Sequence, residues 1–218
     1  MRSSYRLVKS ERNEKGVIKH EAVINGGEAV FRYHSVRIGL TSPSVECPSF
    51  FIVAGEEVED VFYNSERRGI RVIQEHQHEG LALDSLFDMV TDSYFSNKCD
   101  AVYVDGKRED FKLHFWEFLD RRNIRNLNIY DVPYQDLAFR FGLVGSYNES
   151  GDLLVDKGSS LFEDLKGASR SSLKDDPEVK FYRLNALSYL IAGFDKYSSR
   201  QLLDLKNFGR RQSPGWMG

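Results

Sequence analysis

The order of the predicted secondary-structure elements constrains the fold of this chain more than any single motif. Short runs of apolar, β-branched and aromatic residues are typical of strands, and other segments repeat apolar residues at helical spacing. In chain order, the pattern predicts strands at 36–40, 49–55 and 69–75, a helix at 79–96, a strand at 102–105, a helix at 110–121 and a strand at 127–130. Three closely spaced strands predict an antiparallel meander, whereas strands that alternate with helices predict parallel neighbours. The sequence therefore predicts an α/β fold with a mixed five-stranded sheet.

The composition fits a folded domain and disfavours one broad class of protein. Hydrophobic residues make up 41% of the 218 residues, which is ample material for a core. The 30 basic and 33 acidic residues give a net charge of −3, which argues against a protein built to coat nucleic acid but is compatible with a local basic groove. Two cysteines, Cys47 and Cys99, are too few for a disulfide framework and indicate buried side chains in a reducing compartment.

The start of the chain has no secretory signal, and no stretch reaches the about 20 apolar residues that span a membrane. We therefore expect a soluble intracellular protein with no membrane association.

The fourth predicted strand carries the residue on which the functional interpretation depends. It is an apolar run, Ala101–Val104, followed by Asp105 and Gly106. Open α/β sheets bind their ligands at the carboxyl ends of their strands. Asp105 is therefore either a cap for the next helix or one ligand of a metal site, and the residues around it leave both roles open.

Three segments, taken together with the strand order, resemble one family. Ile38–Pro43 ends the first strand, Asp105 ends the fourth, and Leu184–Leu190 lies on a late helix that is predicted from Pro177 to Gly193. This arrangement resembles the ribonuclease H-like nuclease domain of viral large terminase subunits, in which the first strand reads Ile-Gly-Val-Asp-Pro and the late helix continues to Asp-Ala-Leu. The resemblance covers roughly residues 34–197 and implies a ribonuclease H-like sheet with helices on both faces.

The resemblance implies metal-dependent hydrolysis of DNA phosphodiester bonds, with Mg²⁺ or Mn²⁺ as cofactor if the nuclease is active. Two such cations lie about 4 Å apart and need three or four carboxylates from separate elements. Thr41 stands where the family has its central aspartate, and Asn185 stands where the late helix has an acid. Asp105 alone matches cleanly, and it is the predicted metal ligand.

Other acids are candidates to complete the site from the ends of strands or from helix starts. They are Glu79 at the start of the first predicted helix, Asp131 at the end of the fifth strand, and Asp175 and Asp176 just before the late helix. A catalytic site made of Asp105, Glu79 and Asp175 or Asp176 would still lack the central ligand. The sequence therefore favours a degenerate site over an intact one.

Two further clusters are ambiguous. His76 and His78 would face the same side of an extended strand as a pair for zinc or manganese, but no third ligand is evident, which favours a solvated loop before the helix. Lys107 and Arg108 follow Asp105 directly and are predicted to contact nucleic-acid phosphates. The alternative for this basic pair is a solvated surface.

Three functional hypotheses remain. The first is a viral or prophage-derived module of the DNA-packaging or virion machinery whose nuclease is impaired or absent. The second is a catalytically inactive scaffold that binds DNA or virion proteins. The third is an unrelated α/β protein, which is excluded if the first three strands form an antiparallel meander and the fourth is parallel to the first.

The resemblance also implies the surroundings of the protein. No Gly-x-x-x-x-Gly-Lys-Ser/Thr phosphate loop is present, so an ATPase motor would either reside on a separate chain or be absent altogether. Its expected partners are DNA and other packaging or virion proteins, in the host cytoplasm or the virion. The predicted organisation is an N-terminal lead-in at 1–33, the ribonuclease H-like domain at 34–197 and a basic tail at 198–218.

Overall fold

The computed structural model describes residues 5–24, 26–44, 48–58, 69–79, 82–167 and 182–196. The strands in this part of the chain are β1 (Tyr5–Arg12), β2 (Ile18–Ile24), β3 (Gly27–Leu40), β4 (Ser49–Glu57), β5 (Ile70–His78), β6 (Ala101–Val104), β7 (Ile129–Asp131) and β8 (Leu153–Leu154). The helices are α1 (Leu83–Ser96), α2 (Glu109–Arg121), α3 (Leu137–Glu149), α4 (Ser160–Gly167) and α5 (Tyr182–Lys196).

The strands form one mixed sheet whose centre has the predicted order. β3, β4 and β5 are an antiparallel meander. β6 pairs in parallel with β3, with Ile38 opposite Val102, and β7 pairs in parallel with β6. The resulting order, β5-β4-β3-β6-β7, has the meander and the parallel fourth strand that count against an unrelated α/β protein.

The predicted number of strands is wrong, because three more strands join this sheet. β1 and β2 form an antiparallel hairpin that continues onto the first half of β3, with Ile18 opposite Tyr33. β8 adds a short parallel pairing to β5, with Leu153 opposite Ile70. The sheet of the described residues thus has eight strands. The division of the chain into a lead-in, a domain and a tail stays a prediction.

Helices cover both faces of the sheet, as predicted. Successive side chains of a strand face opposite sides. In β4, Phe51 and Val53 pack with residues of α1 and α2, such as Phe87 and Phe115. The neighbouring Phe50, Ile52 and Ala54 pack on the other side with residues of α3, α4 and α5. The residues of β4 from Phe50 to Ala54 are at most 3% exposed, which accounts for the nearly continuous apolar run of this strand.

Helix α5 lies across the centre of the sheet, and two glycines allow its close approach. A Cβ atom added to Gly39 on β3 would overlap the carbonyl oxygen of Ala186 in α5. A Cβ atom added to Gly193 in α5 would overlap the ring of Tyr103 on β6. The two contacts place the start of α5 near the carboxyl end of β3.

One predicted boundary is wrong, and it concerns a candidate site residue. β5 continues to His78, which pairs with Ser49 of β4, and α1 begins at Leu83. Glu79 therefore follows a strand and does not open the helix. Cys99 is buried, as expected, and its Sγ lies 3.9 Å from the carbonyl oxygen of Ser93, whereas Cys47 lies outside the described residues. Within the described ranges, no helix is both long and apolar enough to cross a membrane.

Candidate functional site

The carboxyl ends of four strands meet at one edge of the sheet, which we call the carboxyl edge. β3, β6 and β7 are parallel, and β5 runs in the same direction because β4 is antiparallel to both β3 and β5. The residues that end or follow these strands are Thr41, Asp105, Asp131 and Glu79. This is the edge at which open α/β sheets bind ligands.

Asp105 is half-buried and stabilises the turn that leads from β6 to α2. Its Oδ1 accepts a hydrogen bond of 2.9 Å from the backbone N–H of Lys107, and its carbonyl oxygen accepts one of 3.1 Å from Arg108. This is the local side-chain to backbone bonding that aspartate provides in turns. In the described chain the carboxylate therefore acts as a turn cap.

Asp131 is the second carboxylate at the centre of this edge. It pairs in register with Val104, and an added Cβ on Gly106 would lie 3.1 Å from its Cγ. Its Oδ1 lies 2.7 Å from Nζ of Lys112 in α2, in a partly exposed ion pair. The lysine already compensates this negative charge, which weakens Asp131 as a metal ligand.

Thr41 directly follows β3 at the carboxyl edge, and its hydroxyl has a structural role. Oγ1 donates to the carbonyl oxygen of Phe50 at 3.1 Å and accepts from the backbone N–H of Phe50 at 2.9 Å. The side chain is buried. A neutral hydroxyl that is used in this way supplies no charge to balance a divalent cation.

A buried arginine of α3 lies beside the first half of α5. Arg140 of α3 is 2% exposed. Its Nη1 donates to the carbonyl oxygen of Tyr134 at 2.8 Å, and it makes longer contacts of 3.3 Å to Asn185 Oδ1 and Ser188 Oγ. The guanidinium also lies 5.1 Å from the ring centre of Tyr189.

The acceptors around Arg140 are all neutral, and no carboxylate in the described part of the chain forms an ion pair with it. A buried cation in a medium of low dielectric constant repels a second cation strongly. The α5 side of the carboxyl edge is therefore a poor place for Mg²⁺ or Mn²⁺.

Sequence reasoning missed Arg140, although a signal was present. Leu137, Arg140, Phe141 and Val144 recur at the spacing i, i+3, i+4, i+7, which places the arginine within the apolar stripe of α3. A charged residue inside such a stripe is buried against neighbouring elements or reaches past them.

The remaining predicted acids do not join Asp105. Glu79 is exposed and accepts a hydrogen bond from Gln77. β4 and β3 separate its strand from β6, which amounts to three strand spacings, or about 14 Å. Asp175 and Asp176 lie outside the described residues. Across the described ranges, no three histidine, cysteine, aspartate or glutamate side chains come together as a metal site.

The two histidines lie on a strand, so the predicted loop is wrong at this point. His76 and His78 face the α1 side of β5: the His76 ring stacks on Phe51 at 4.5 Å between centres, and His78 Nε2 lies 3.2 Å from Ser85 Oγ. Burial lowers the pKa of His76. No third metal ligand accompanies the pair in the described chain.

The predicted phosphate contacts lie on the turn that follows Asp105. Lys107 is exposed, and Arg108 Nε lies 3.5 Å from Asp110 Oδ1 in an ion pair open to solvent. An exposed pair of this kind contributes little energy and leaves the guanidinium available. Their role toward nucleic acid stays a prediction.

Comparison with known proteins gives structural matches only. No family model matches the sequence, and no curated protein does. The nuclease domain of the large terminase of bacteriophage SPP1, with bound Mn, is similar at a TM-score of 0.48 and 12% identity, over 75% of this chain and 87% of that domain. The large terminase nuclease of thermophilic phage G20c is similar at 0.48 and 13% identity, over 91% of this chain and 100% of that one.

A second G20c structure, with bound magnesium, gives a TM-score of 0.48 at 12% identity over 91% of this chain and 99% of that one. The matched proteins are nuclease domains of the family that the motif order resembles. No activity follows for this chain from similarities of this size.

Proposed function

We propose that this chain is a terminase-nuclease-like module of a viral DNA-packaging or virion machinery in which the metal-dependent nuclease is impaired or absent. The observation that carries the proposal is the carboxyl end of β3. There, the hydroxyl of Thr41 forms two hydrogen bonds with the backbone of Phe50. By the resemblance to terminase nucleases, this is the position from which a two-metal site takes its central carboxylate.

The charges at the carboxyl edge support the same conclusion. Two divalent cations carry four positive charges, and their ligands are oxygen atoms of several carboxylates. The described edge offers Asp105 and Asp131 near each other, and Lys112 compensates the second. Arg140 adds a buried positive charge beside α5. The described residues do not form the donor set that two Mg²⁺ or Mn²⁺ ions require.

In this role the module would bind DNA or other virion proteins without cutting DNA. Lys107 and Arg108 are the proposed phosphate contacts, since they extend from the turn at the carboxyl edge. An ATPase motor, where one is needed, would be a separate chain.

The alternative is an active Mg²⁺- or Mn²⁺-dependent DNA endonuclease. It would keep Asp105 as the principal metal ligand and would need Asp175 or Asp176, and Glu79, to supply the missing carboxylates. The adjacency of Asp105 and Asp131 at the ends of β6 and β7 is the observation in its favour.

Plasmid nicking separates the two functions. The wild-type chain and an Asp105→Ala variant are incubated with supercoiled plasmid and Mn²⁺, with EDTA as the blank and Asp120→Ala, an exposed acid of α2, as the matched control. We expect no nicking above the blank from any of the three proteins. Nicking by the wild type and by Asp120→Ala that is lost in Asp105→Ala would establish the endonuclease and overturn the proposal.

A further inference from the structure

A basic concavity lies at the opposite end of the sheet from Asp105. Its volume is about 740 Å³, and it forms where the β1–β2 hairpin approaches the loop after α1. Four cationic side chains and one acidic one are among its lining residues: Arg12, Lys19, Arg32, Lys98 and Glu11. Lys98 precedes β6 and Asp105 follows it, so the four-residue strand separates the two places by at least about 13 Å.

Two of the four cations are compensated by neighbouring acids. Arg12 Nη2 lies 2.8 Å from Oδ1 of the buried Asp100, and it also donates to the carbonyl oxygen of Lys98. Lys19 Nζ lies 2.6 Å from Glu21 Oε1. These pairs fix the wall of the concavity, and they leave little of the charge of Arg12 and Lys19 for a ligand.

The other two cations have no acidic partner among the described residues. Arg32 and Lys98 are exposed and form no ion pair there, and Glu11 is held by Lys9 instead. Both are placed by rigid backbone. Arg32 lies in β3 opposite Lys19, and Lys98 has a positive φ of 58° that closes the end of α1. Within the described part of the chain, the concavity therefore presents two exposed positive charges, those of Arg32 and Lys98, that no acid compensates.

The chemistry of the lining favours a phosphate ligand. Arginine and lysine donate several charge-assisted hydrogen bonds to phosphate oxygens, and the side chains of Ser10 and Asn13 add polar groups to the wall. No aromatic side chain is among the lining residues, so the stacking platform typical of single-strand binding is missing in this part of the chain. A sequence-independent contact to the backbone of a duplex needs only the charges.

We propose that this concavity is a second nucleic-acid contact, in which Arg32 and Lys98 bind phosphates of a DNA duplex. The site is separate from the carboxyl edge and does not depend on whether that edge holds metal ions. It extends the proposed packaging role, and it would let one module contact DNA at both ends of its sheet.

The test is equilibrium binding of a fluorescent duplex, measured by anisotropy at several salt concentrations. The variant is Arg32→Gln/Lys98→Gln, and both substitutions remove exposed charges without breaking an ion pair of the described chain. The matched control is Arg125→Gln/Lys157→Gln, which removes one arginine and one lysine charge from exposed positions that form no ion pair in the described chain. Thermal unfolding verifies that each protein is folded.

We expect the Arg32/Lys98 variant to lose about tenfold or more in affinity and its salt slope to fall by about two, because two phosphate contacts disappear. The control should change affinity by less than about threefold. Equal losses in variant and control, unchanged binding by the variant, or no duplex binding by the wild type would each overturn the proposal. So would polyglutamate that competes as well as DNA, since it would indicate a site for acidic peptides. The nicking assay tests the proposed function independently of these outcomes.

Discussion

At the scale of single residues, the hydroxyl of Thr41 both donates a hydrogen bond to the backbone of Phe50 and accepts one from it. Removal of this hydroxyl should therefore destabilise the fold. In Thr41→Val the buried N–H of Phe50 loses its Oγ1 acceptor, so the free energy of unfolding should fall by about 1–3 kcal/mol. Thr41→Ser keeps the hydroxyl and should lose less. Urea unfolding of the two variants measures the difference, and equal stability of Thr41→Val and the wild type would contradict the structural role.

The burial of the His76 ring should make the stability of the fold depend on pH. Burial lowers the pKa of His76, so the native chain holds the neutral ring while the unfolded chain takes up a proton near pH 6.5. The stability that the neutral ring of His76 contributes is therefore fully present above about pH 6.5, and it is lost as the pH falls below that value. His76→Phe should reduce the loss between about pH 7.5 and about pH 5, whereas His114→Gln, at an exposed position, should leave it unchanged. An identical pH profile for His76→Phe would contradict this account.

The residues of the site were predictable to different degrees. Asp105 was identified because a carboxylate at the end of an apolar run marks a strand end, and that local pattern survives in the fold. Thr41 was identified as a substitution, but its bond to Phe50 depends on the pairing of β3 with β4 and has no local signal. Arg140 was missed because two of its three hydrogen-bond partners, Asn185 and Ser188, lie 45 and 48 residues away on α5.

At the scale of elements, a glycine-to-alanine substitution should have opposite effects on stability at two places. One is β3 where α5 crosses it closely, and the other is α3 where there is open space. Gly39→Ala forces a methyl group into the Ala186 carbonyl oxygen and should lower the free energy of unfolding by about 3 kcal/mol or more. Gly142→Ala, in the middle of α3 with open space around it, should raise it by about 0.5–1 kcal/mol. Chemical unfolding checks both, and a stable Gly39→Ala protein would contradict the position of α5.

The elements themselves followed the hydrophobic pattern where that pattern was regular. The strands β4 to β7 and α2 were predicted within a few residues, whereas β3 begins at Gly27, nine residues before its predicted start at Val36, and β1 was not predicted as a strand. Its register shifts between Leu7 and Lys9, and such a bulge breaks the alternation of buried and exposed residues that identifies a strand. Glu79 was assigned to α1 because the pairing of His78 with Ser49, which extends β5, is not visible locally.

At the scale of the whole molecule, the strand order was predictable and the charge balance of the carboxyl edge was not. Closely spaced strands form meanders and helical connections give parallel neighbours. That β6 pairs with β3 rather than with β5 was implied only by the resemblance to the ribonuclease H-like fold. The balance at the edge depends on which side chains meet. Lys112 reaches Asp131 from α2, and Arg140 faces Asn185 from α3.

The central claim is that the carboxyl edge does not hold a two-metal site, and Mn²⁺ binding tests it most directly. Mn²⁺ is titrated by calorimetry into the wild-type chain and into Asp105→Ala, with Asp120→Ala as control. The titration reports how many ions each protein binds and whether their binding requires the carboxylate of Asp105. We predict no specific binding that distinguishes Asp105→Ala from the other two proteins. Two Mn²⁺ ions bound per chain by the wild type and by Asp120→Ala, and lost in Asp105→Ala, would contradict the claim.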